Sequence, residues 1–349
     1  MEPTGTDLDV IDFTALAAWM DTQGLGVGAP IEGPALLGGG TQNILVRFVR
    51  DGRGYVLRRG PKHLRPHSND QLRREVQIVT ALRTTDVPHS AVIAACLDEA
   101  VLDGAVFYLM EPIEGFNPTT GLPPLHAGDR GVQHEMGLRM ADAIATLGNV
   151  DHVAVGLGGV GKPDGFLERQ VGRWLTELDS YARFENYPGP EIPGVAEVGA
   201  WLTANLPPGS GVGIVHGDYH LSNVMFSPDG PELVAVVDWE MSTIGDPLLD
   251  LGWLLATWPD PQGEGIGAVV FSGGGLPTAG ELVARYAERS TRDLSAIDWY
   301  TVMACFKLGI VLEGTHARAF AGKAPKLTGD LLHATTVQLF TRARAIAGV

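Results

Sequence analysis

Two short apolar segments of the chain, residues 212–215 and 233–237, each lead into acidic residues. The first is followed by Asp218 and then by Asn223, and the second by Asp238. An apolar strand fixes the backbone at its end, so these side chains should project into a cleft. A carboxylate can orient a substrate hydroxyl and accept its proton, while an amide and a second carboxylate supply the oxygen ligands that Mg²⁺ prefers. The ordered trio therefore predicts phosphoryl transfer.

Two other interpretations of these residues are open. In the first, Asp218 caps a turn and Asp238 forms a structural ion pair. In the second, His216, Asp218 and His220 bind zinc, because alternate residues of an extended strand face the same side. Gly217 indicates a turn within this stretch, and two histidines with one carboxylate are few ligands, so phosphoryl transfer is favoured.

A run of three glycines, Gly38, Gly39 and Gly40, lies before Thr41 between two segments with strand character. Residues without side chains let backbone N–H groups approach phosphate oxygens closely. No Gly-Lys-Ser/Thr sequence follows, so the run is not a P-loop. We interpret it as a phosphate-binding loop.

Arg58 and Glu75 are predicted to form a buried ion pair. Glu75 follows Leu72 by three residues and so lies on the apolar stripe of its helix. A carboxylate on an inward face is costly unless it pairs with a cation, and Arg58 on the preceding strand is the obvious candidate. The alternative is that Glu75 pairs at the surface with Arg74 or Lys62.

The segment 107–113 leads from a buried strand into the link between the two halves of the chain. Such a link exposes free backbone N–H and C=O groups at the cleft. These groups can recognise the edge of an adenine ring, so the segment is a candidate nucleotide contact.

The elements that position these residues fall into two lobes, which predicts an α+β fold. Residues 1–30 hold a lead-in with a short amphipathic helix over 11–20. Residues 31–112 form a β-rich lobe in the order β-β-β-α-β-β, with an Asp-Gly hairpin turn at 51–52. Residues 113–349 form a mainly helical lobe, with helices predicted at 134–147, 166–181, 195–206, 281–289, 295–316 and 329–346.

The amino-acid composition of the chain disfavours some classes of binding partner. The chain has 25 basic and 41 acidic residues, a net charge of −16, which disfavours binding to nucleic acid or to anionic lipid. The N-terminus lacks the basic and apolar regions of a signal peptide, and apolar runs fall far short of the roughly 20 residues that span a membrane. Two cysteines, Cys96 and Cys305, cannot form a disulfide framework. We expect a cytoplasmic protein with a small-molecule substrate.

These motifs resemble the aminoglycoside phosphotransferase-type kinases, a family with the two-lobed choline-kinase and protein-kinase-like fold. Residues 216–223 match its H-G-D-x-x-x-x-N pattern, and residues 238–250 read D-W-E-x-x-x-x-G-D-P-x-x-D. The resemblance covers roughly residues 33–345. Segments 161–166 and 169–174 are most similar to the kinase-like domain that precedes acyl-CoA dehydrogenase modules in some multidomain proteins.

The resemblance implies an ATP- and Mg²⁺-dependent phosphotransferase that acts on a hydroxyl of a small molecule. It implies Asp218 as the catalytic base and Asn223 and Asp238 as Mg²⁺ ligands. The nucleotide would be bound by Gly38, Gly39, Gly40, Arg58, Glu75, the Glu111 carbonyl and the Ile113 amide. Scaffold roles around the catalytic loop would fall to His216, Asp246 and Asp250.

Two positions depart from the family pattern. Arg58 stands where the family has a strand lysine, and a planar guanidinium clamps phosphate differently from an ammonium. His220 stands where close relatives often have arginine. Arg58 is the one feature that favours a nucleotide-binding pseudokinase with a regulatory role, whereas the retained trio favours an active enzyme.

The charge of residues 302–349 bears on the acceptor. This segment holds six basic and two acidic residues, a charge of +4 in a chain of −16, which suits an anionic ligand. The resemblance agrees, because the dehydrogenase-linked relatives are associated with hydroxyacyl-CoA or hydroxy acids. We expect such an acceptor; the alternatives are an aminoglycoside, or charges that merely face solvent.

Overall fold

The N-terminal lobe is an antiparallel sheet covered by one helix on each face. A computed structural model describes residues 8–38, 43–259 and 274–349 of the chain. The elements of this lobe are helix α1 (Phe13–Thr22), strands β1 (Glu32–Leu36), β2 (Ile44–Arg50) and β3 (Arg53–Arg59), helix α2 (Ser68–Ala81), and strands β4 (Val92–Cys96) and β5 (Phe107–Met110). The strands lie in the order β1-β2-β3-β5-β4. The predicted sequence of elements is confirmed.

A two-residue turn joins β2 to β3. Asp51 and Gly52 have φ values of 52° and 70°, and Arg50 pairs with Arg53 across the ladder. A hairpin turn of this type needs a positive φ at both central residues, which aspartate tolerates and glycine favours. The Asp-Gly turn predicted from the sequence is therefore present, and it sets the register that places Arg58.

Successive residues of β3 face opposite sides of the sheet. Leu57 packs in an apolar cluster with Leu16 of α1, and its full burial stabilises the lobe by about 1.5–3 kcal/mol. Arg58, one residue later, faces α2, where Tyr108 of β5 packs against Leu72. The alternation of a strand thus brings a cation into contact with the inner face of α2.

The C-terminal lobe is mainly helical. It contains helices α3 (Pro124–Gly128), α4 (Arg130–Gly148), α5 (Gln170–Ser180), α6 (Val195–Ala204), α7 (Leu248–Thr257), α8 (Ala279–Arg289), α9 (Ile297–Phe320) and α10 (Lys326–Ala347), and strands β6 (Gly213–Val215), β7 (Val224–Phe226), β8 (Leu233–Val236) and β9 (Thr243–Gly245). Strand β6 pairs with β9, and β7 pairs with β8. Helix α9 packs against α5, α6, α7 and α10 and so forms the centre of the lobe.

Backbone hydrogen bonds connect the two lobes. The Val236 amide donates to the Pro88 carbonyl at 2.8 Å, which ties β8 to the N-terminal lobe. Phe116, just after the link, exchanges two hydrogen bonds of 2.9 Å with Phe226 at the end of β7. The paired strands β7 and β8, which flank Asn223 and Asp238, are therefore anchored to the N-terminal lobe through β8 and to the segment after the link through β7.

Several boundaries differ from the predictions. Strands β7 and β9 and helices α3 and α7 were not predicted. The first three have three to five residues and are too short to show a hydrophobic period, whereas α7 is buried on all sides and so has no polar face. Helix α5 begins at Gln170 rather than Phe166, since residues 163–169 form turns. Within the described residues, no helix is long and apolar enough to cross a membrane.

Candidate active site

The candidate catalytic loop, residues 216–223 (hereafter the catalytic loop), begins directly after β6 and is held by Asp250 of α7. One oxygen of the Asp250 carboxylate accepts the His216 amide at 2.6 Å, and the other accepts the Gly217 amide at 2.8 Å. Gly217 has a φ of +86°, and a Cβ at this position would lie 2.6 Å from the Met241 carbonyl oxygen. Only glycine fits this turn, because any side chain here would collide with the Met241 carbonyl. The turn directs the side chain of the next residue, Asp218, towards the cleft.

The His216 ring is a structural part of this loop. Its Nε2 lies 3.0 Å from the Val237 carbonyl, and its Nδ1 accepts the Asp218 amide at 3.3 Å. The ring is fully buried and packs edge-on against Trp239, with centroids 4.9 Å apart. Both nitrogens are thus engaged with backbone groups. The zinc-site interpretation of His216, Asp218 and His220 is wrong, because His216 has no nitrogen left for a metal.

The Asp218 carboxylate is oriented by two neighbours. Asn223 Nδ2 donates to Asp218 Oδ2 at 3.0 Å, and His220 Nε2 lies 3.3 Å from Asp218 Oδ1. Burial raises the pKa of Asp218, but His220, His216 and Lys307 outweigh burial and lower this pKa to about 2. The side chain is therefore ionised at neutral pH, as a group that accepts or orients a hydroxyl proton must be.

Arg58 and Glu75 form the predicted ion pair. Arg58 Nε lies 2.8 Å from Glu75 Oε1, and both side chains are buried. Tyr108 donates a hydrogen bond of 2.9 Å to the same carboxylate. Burial raises the pKa of Glu75 although Arg58 opposes this shift. The surface alternative is wrong, since Arg74 donates instead to the Glu240 carbonyl at 3.1 Å.

Arg58 also contacts Asp238, so Asp238 does form the ion pair that the alternative interpretation predicted, with a partner that the sequence did not indicate. Arg58 Nη2 donates to Asp238 Oδ1 at 2.8 Å across the lobe interface. Burial lowers the pKa of Arg58, but the carboxylates of Glu75 and Asp238, together with Tyr108, raise it above its usual value. Asp238 itself has a left-handed backbone, with φ 65° and ψ 63°. Such a conformation is uncommon for residues other than glycine and concentrates at functional sites.

The residues of the link between the lobes present backbone N–H and C=O groups, as predicted. One of these groups, the Glu111 carbonyl, already accepts a hydrogen bond within the protein. The Glu111 carbonyl accepts a hydrogen bond of 2.5 Å from Ser90 Oγ, and the Glu111 side chain forms an ion pair with Arg53. The Ile113 amide donates no hydrogen bond within the part of the chain that the structure describes. Gly38 is the last residue described before the glycine-rich run, and Gly39 and Gly40 lie outside the described residues.

Asp246 secures the start of α7 on the far side of the loop. Its carboxylate accepts hydrogen bonds from the Ser210 amide at 2.6 Å, the Leu248 amide at 3.0 Å and the Tyr300 hydroxyl at 2.7 Å. Like Asp250, it is buried and does not face the cleft. Both carboxylates thus have the scaffold geometry that the resemblance implies.

Lys307 of α9 also belongs to this site. The sequence analysis counted it among the six basic residues of segment 302–349 but did not predict its contact with the catalytic loop. Its Nζ donates to the Gly217 carbonyl at 2.8 Å and lies 4.2 Å from the centroid of the Trp253 ring. Burial lowers the pKa of Lys307 to about 8, although Asp218 and Asp250 oppose this shift. Ninety residues separate Lys307 from Gly217, so only the packing of α9 reveals the contact.

The other basic residues of segment 302–349 do not gather at the catalytic loop. Arg342 donates to the Ala256 carbonyl at 3.2 Å, and Lys326 pairs with Asp330 at 2.7 Å. Of the basic residues that the structure describes in this segment, Lys307 is the one that contacts the loop. The expected basic island is therefore not gathered at this loop, because Lys326 and Arg342 are sixteen residues apart on α10, about 24 Å along that helix.

The sequence and the fold match known proteins. Residues 35–289 match the model of the phosphotransferase enzyme family. The chain is 29% identical over 297 residues to acyl-CoA dehydrogenase family member 11 of Gallus gallus, a match that covers 82% of this chain. It spans 36% of the length of that relative.

Solved structures share the fold over almost the whole chain. A crystal structure from Ralstonia eutropha JMP134, provisionally assigned as an aminoglycoside phosphotransferase, has a TM-score of 0.80 and 29% identity, with 97% of this chain and 98% of that chain covered. Aminoglycoside phosphotransferase APH(4)-Ia, solved with ADP and hygromycin B, has a TM-score of 0.58 at 14% identity over 95% and 97% of the two chains. The second likeness bears on the fold alone. Since the family model covers most of the chain, the protein belongs to the phosphotransferase enzyme family and has its two-lobed kinase-like fold.

Proposed function

We propose that this phosphotransferase moves the γ-phosphoryl group of ATP to a hydroxyl of a small molecule in a Mg²⁺-dependent reaction. The observation that carries the proposal is that two contacts, Asp218 with Asn223 and Arg58 with Asp238, lie at the ends of the paired strands β7 and β8. The Val237 amide, next to Asp238, donates to the Asn223 carbonyl at 2.9 Å and so joins the two contacts. An ionised Asp218 orients the acceptor hydroxyl and takes its proton as the new P–O bond forms, while the bond from the γ-phosphorus to the bridging oxygen breaks and ADP leaves. Arg58, fixed by Glu75, aligns the phosphates through its guanidinium.

Asn223 and Asp238 fit a magnesium ion by their chemistry. Asn223 Nδ2 is turned towards Asp218, which leaves its Oδ1 for a metal, and Asp238 uses only Oδ1 on Arg58. Neither Asn223 Oδ1 nor Asp238 Oδ2 accepts a hydrogen bond from the described residues. Amide and carboxylate oxygens are suitable Mg²⁺ ligands, and a bound Mg²⁺ would neutralise charge on the phosphates.

The nucleotide base lies, in this proposal, against the link between the lobes. The Ile113 amide is free to donate to an adenine ring, and the Glu111 carbonyl retains one lone pair beside its bond from Ser90. The glycine run at Gly38–Gly40 is the proposed source of backbone amides for the phosphates. The ADP complex of APH(4)-Ia supports adenine nucleotide as the donor in a chain of the same fold.

For the acceptor we propose an anionic hydroxy compound, such as a hydroxy acid or a hydroxyacyl-CoA thioester. The names of the acyl-CoA dehydrogenase relatives support it, and so does the cation of Lys307 beside the catalytic loop. The hygromycin B complex of APH(4)-Ia supports an aminoglycoside as the competing acceptor. The dispersed basic residues of α10 do not support either class.

A coupled ADP-release assay with ATP and Mg²⁺ tests the proposal over a panel of hydroxy acids, hydroxyacyl-CoA thioesters and aminoglycosides. We expect acceptor-dependent ADP release with the anionic class and the higher kcat/KM there. A higher kcat/KM for an aminoglycoside would contradict the acceptor class. ATP binding without transfer to any acceptor would instead favour the pseudokinase.

A further inference from the structure

A second cluster of metal-ligating side chains lies between α9 and α10, apart from the catalytic loop. Glu313 and His316 are three residues apart on α9 and share one face of that helix. His333 faces them from α10, which runs antiparallel to α9 after a short loop. One ligand atom from each of the three residues lies within 4.8 Å of the other two.

The distances are close to those of a bound transition metal. Ligand atoms of a tetrahedral zinc site lie about 2.0–2.1 Å from the metal and hence roughly 3.3 Å from one another. Glu313 Oε2 is 2.7 Å from His333 Nδ1, and the rings of His316 and His333 stack with centroids 4.5 Å apart. Rotamer adjustments that shorten the longest separation, at most 4.8 Å, by about 1.5 Å would bring all three atoms into the coordination range.

A purely structural network explains only part of the cluster. Glu313 is fully buried and needs partners, which it has in His333 and in the Tyr187 hydroxyl at 2.7 Å. His316 is left out of this network. Its Nδ1 is buried and has no hydrogen-bond partner among the described residues, and the nearest acid, Asp330 Oδ1, is 3.7 Å away.

A buried ring nitrogen without a hydrogen-bond partner is unfavourable, and coordination of a metal ion by His316 would compensate for the missing hydrogen bond. Two imidazoles and one carboxylate are the donor set of several zinc sites and also suit Co²⁺ and Ni²⁺. The Tyr187 hydroxyl, donating to Glu313 Oε1, would orient the carboxylate as outer partners of metal ligands do. Asp330 is close enough to His316 to serve as a fourth ligand in place of water.

We propose that Glu313, His316 and His333 form a binding site for a divalent transition metal of the zinc type. The ion would fasten α9 to α10 and, through Tyr187, to the segment before α6. It is separate in residues and in ligand chemistry from the proposed magnesium site at Asn223 and Asp238, which offers oxygen atoms alone. The inference does not depend on the phosphotransferase reaction.

Metal titration of the tag-free, chelator-treated full chain tests this site. We expect about one equivalent of Zn²⁺ to bind by calorimetry in the presence of excess Mg²⁺, and Co²⁺ to give the visible absorption of a site with nitrogen ligands. His316→Ala should abolish this binding; it removes no hydrogen bond of Nδ1 but does remove ring contacts with His333, Tyr187 and Phe320, so circular dichroism checks that the variant is folded. Tyr187→Phe should weaken it about 10- to 100-fold.

His134→Ala is the matched control. His134 forms a similar contact with Glu281, at 3.2 Å, on the surface between α4 and α8. Its replacement should leave zinc affinity unchanged. Absence of Zn²⁺ binding by the wild type, or an unchanged affinity in a folded His316→Ala variant, would overturn the proposal.

Discussion

Replacement of Lys307 by methionine should change how the stability of the protein depends on pH. Lys307 is enclosed by Trp253 and Trp174, and burial lowers its pKa to about 8 from an ordinary value of 10.5. The unfolded chain therefore binds more protons than the folded chain between these two values. The free energy of unfolding should consequently rise with pH in this window.

The size of the effect follows from the shift. A difference of 10.5 − 8 = 2.5 units makes the protonated lysine cost about 3 kcal/mol in the folded state at pH 7. By about pH 9.5 roughly 2 kcal/mol of this cost is relieved, since the folded state has lost the proton. Methionine is similar in length and does not titrate, so Lys307→Met lacks this gain.

Urea unfolding followed by tryptophan fluorescence at pH 7 and pH 9.5 measures the effect in both proteins. The wild type should gain about 2 kcal/mol relative to Lys307→Met. The lost bond to Gly217 lowers the stability of the variant at both pH values, so only the pH-dependent difference is diagnostic. Lys62→Met, at an exposed lysine, should keep the wild-type dependence. If the free energy of unfolding changed equally with pH in the wild type and in Lys307→Met, the conclusion that burial lowers the pKa of Lys307 would be refuted.

Three further substitutions test the site. Asp218→Asn should retain the fold and nucleotide affinity but lower kcat at least ~10²-fold in the ADP-release assay, and near-normal activity would remove Asp218 from the base role. Asp238→Ala should abolish Mg²⁺-dependent ATP binding by calorimetry, with Asp238→Asn, which tolerates φ 65°, as the control for backbone strain. Gly217→Ala should lower the thermal midpoint and the activity, because its Cβ would meet the Met241 carbonyl at 2.6 Å; a wild-type midpoint would show that the loop can relax.

Local features of the site could be predicted from the sequence. The spacing of Asp218 and Asn223 is set within one loop, and their contact at 3.0 Å needs no distant element. The pairing of Arg58 with Glu75 followed from strand alternation and helix periodicity, because each side chain had to face the same interior. These regularities operate over a few residues and are visible in a single sequence.

Features that depend on how helices pack could not be predicted. Lys307 reaches Gly217 only because α9 passes behind the catalytic loop, and nothing in its neighbours along the chain marks it. The contact of Arg58 with Asp238 depends on how the lobes meet. The charge count of segment 302–349 failed for the same reason, because it added residues that lie far apart in the fold, such as Lys326 and Arg342 at opposite ends of α10.

Phosphorus NMR of a reaction with ATP, Mg²⁺ and the best acceptor tests the central claim most directly. The account predicts a new phosphomonoester resonance that grows in step with ADP, and that grows at least ~10²-fold more slowly with the Asp218→Asn variant. Formation of ADP with inorganic phosphate alone, or bound ATP that stays intact with every acceptor, would contradict the assignment of Asp218, Asn223 and Asp238 as the machinery of transfer to a hydroxyl.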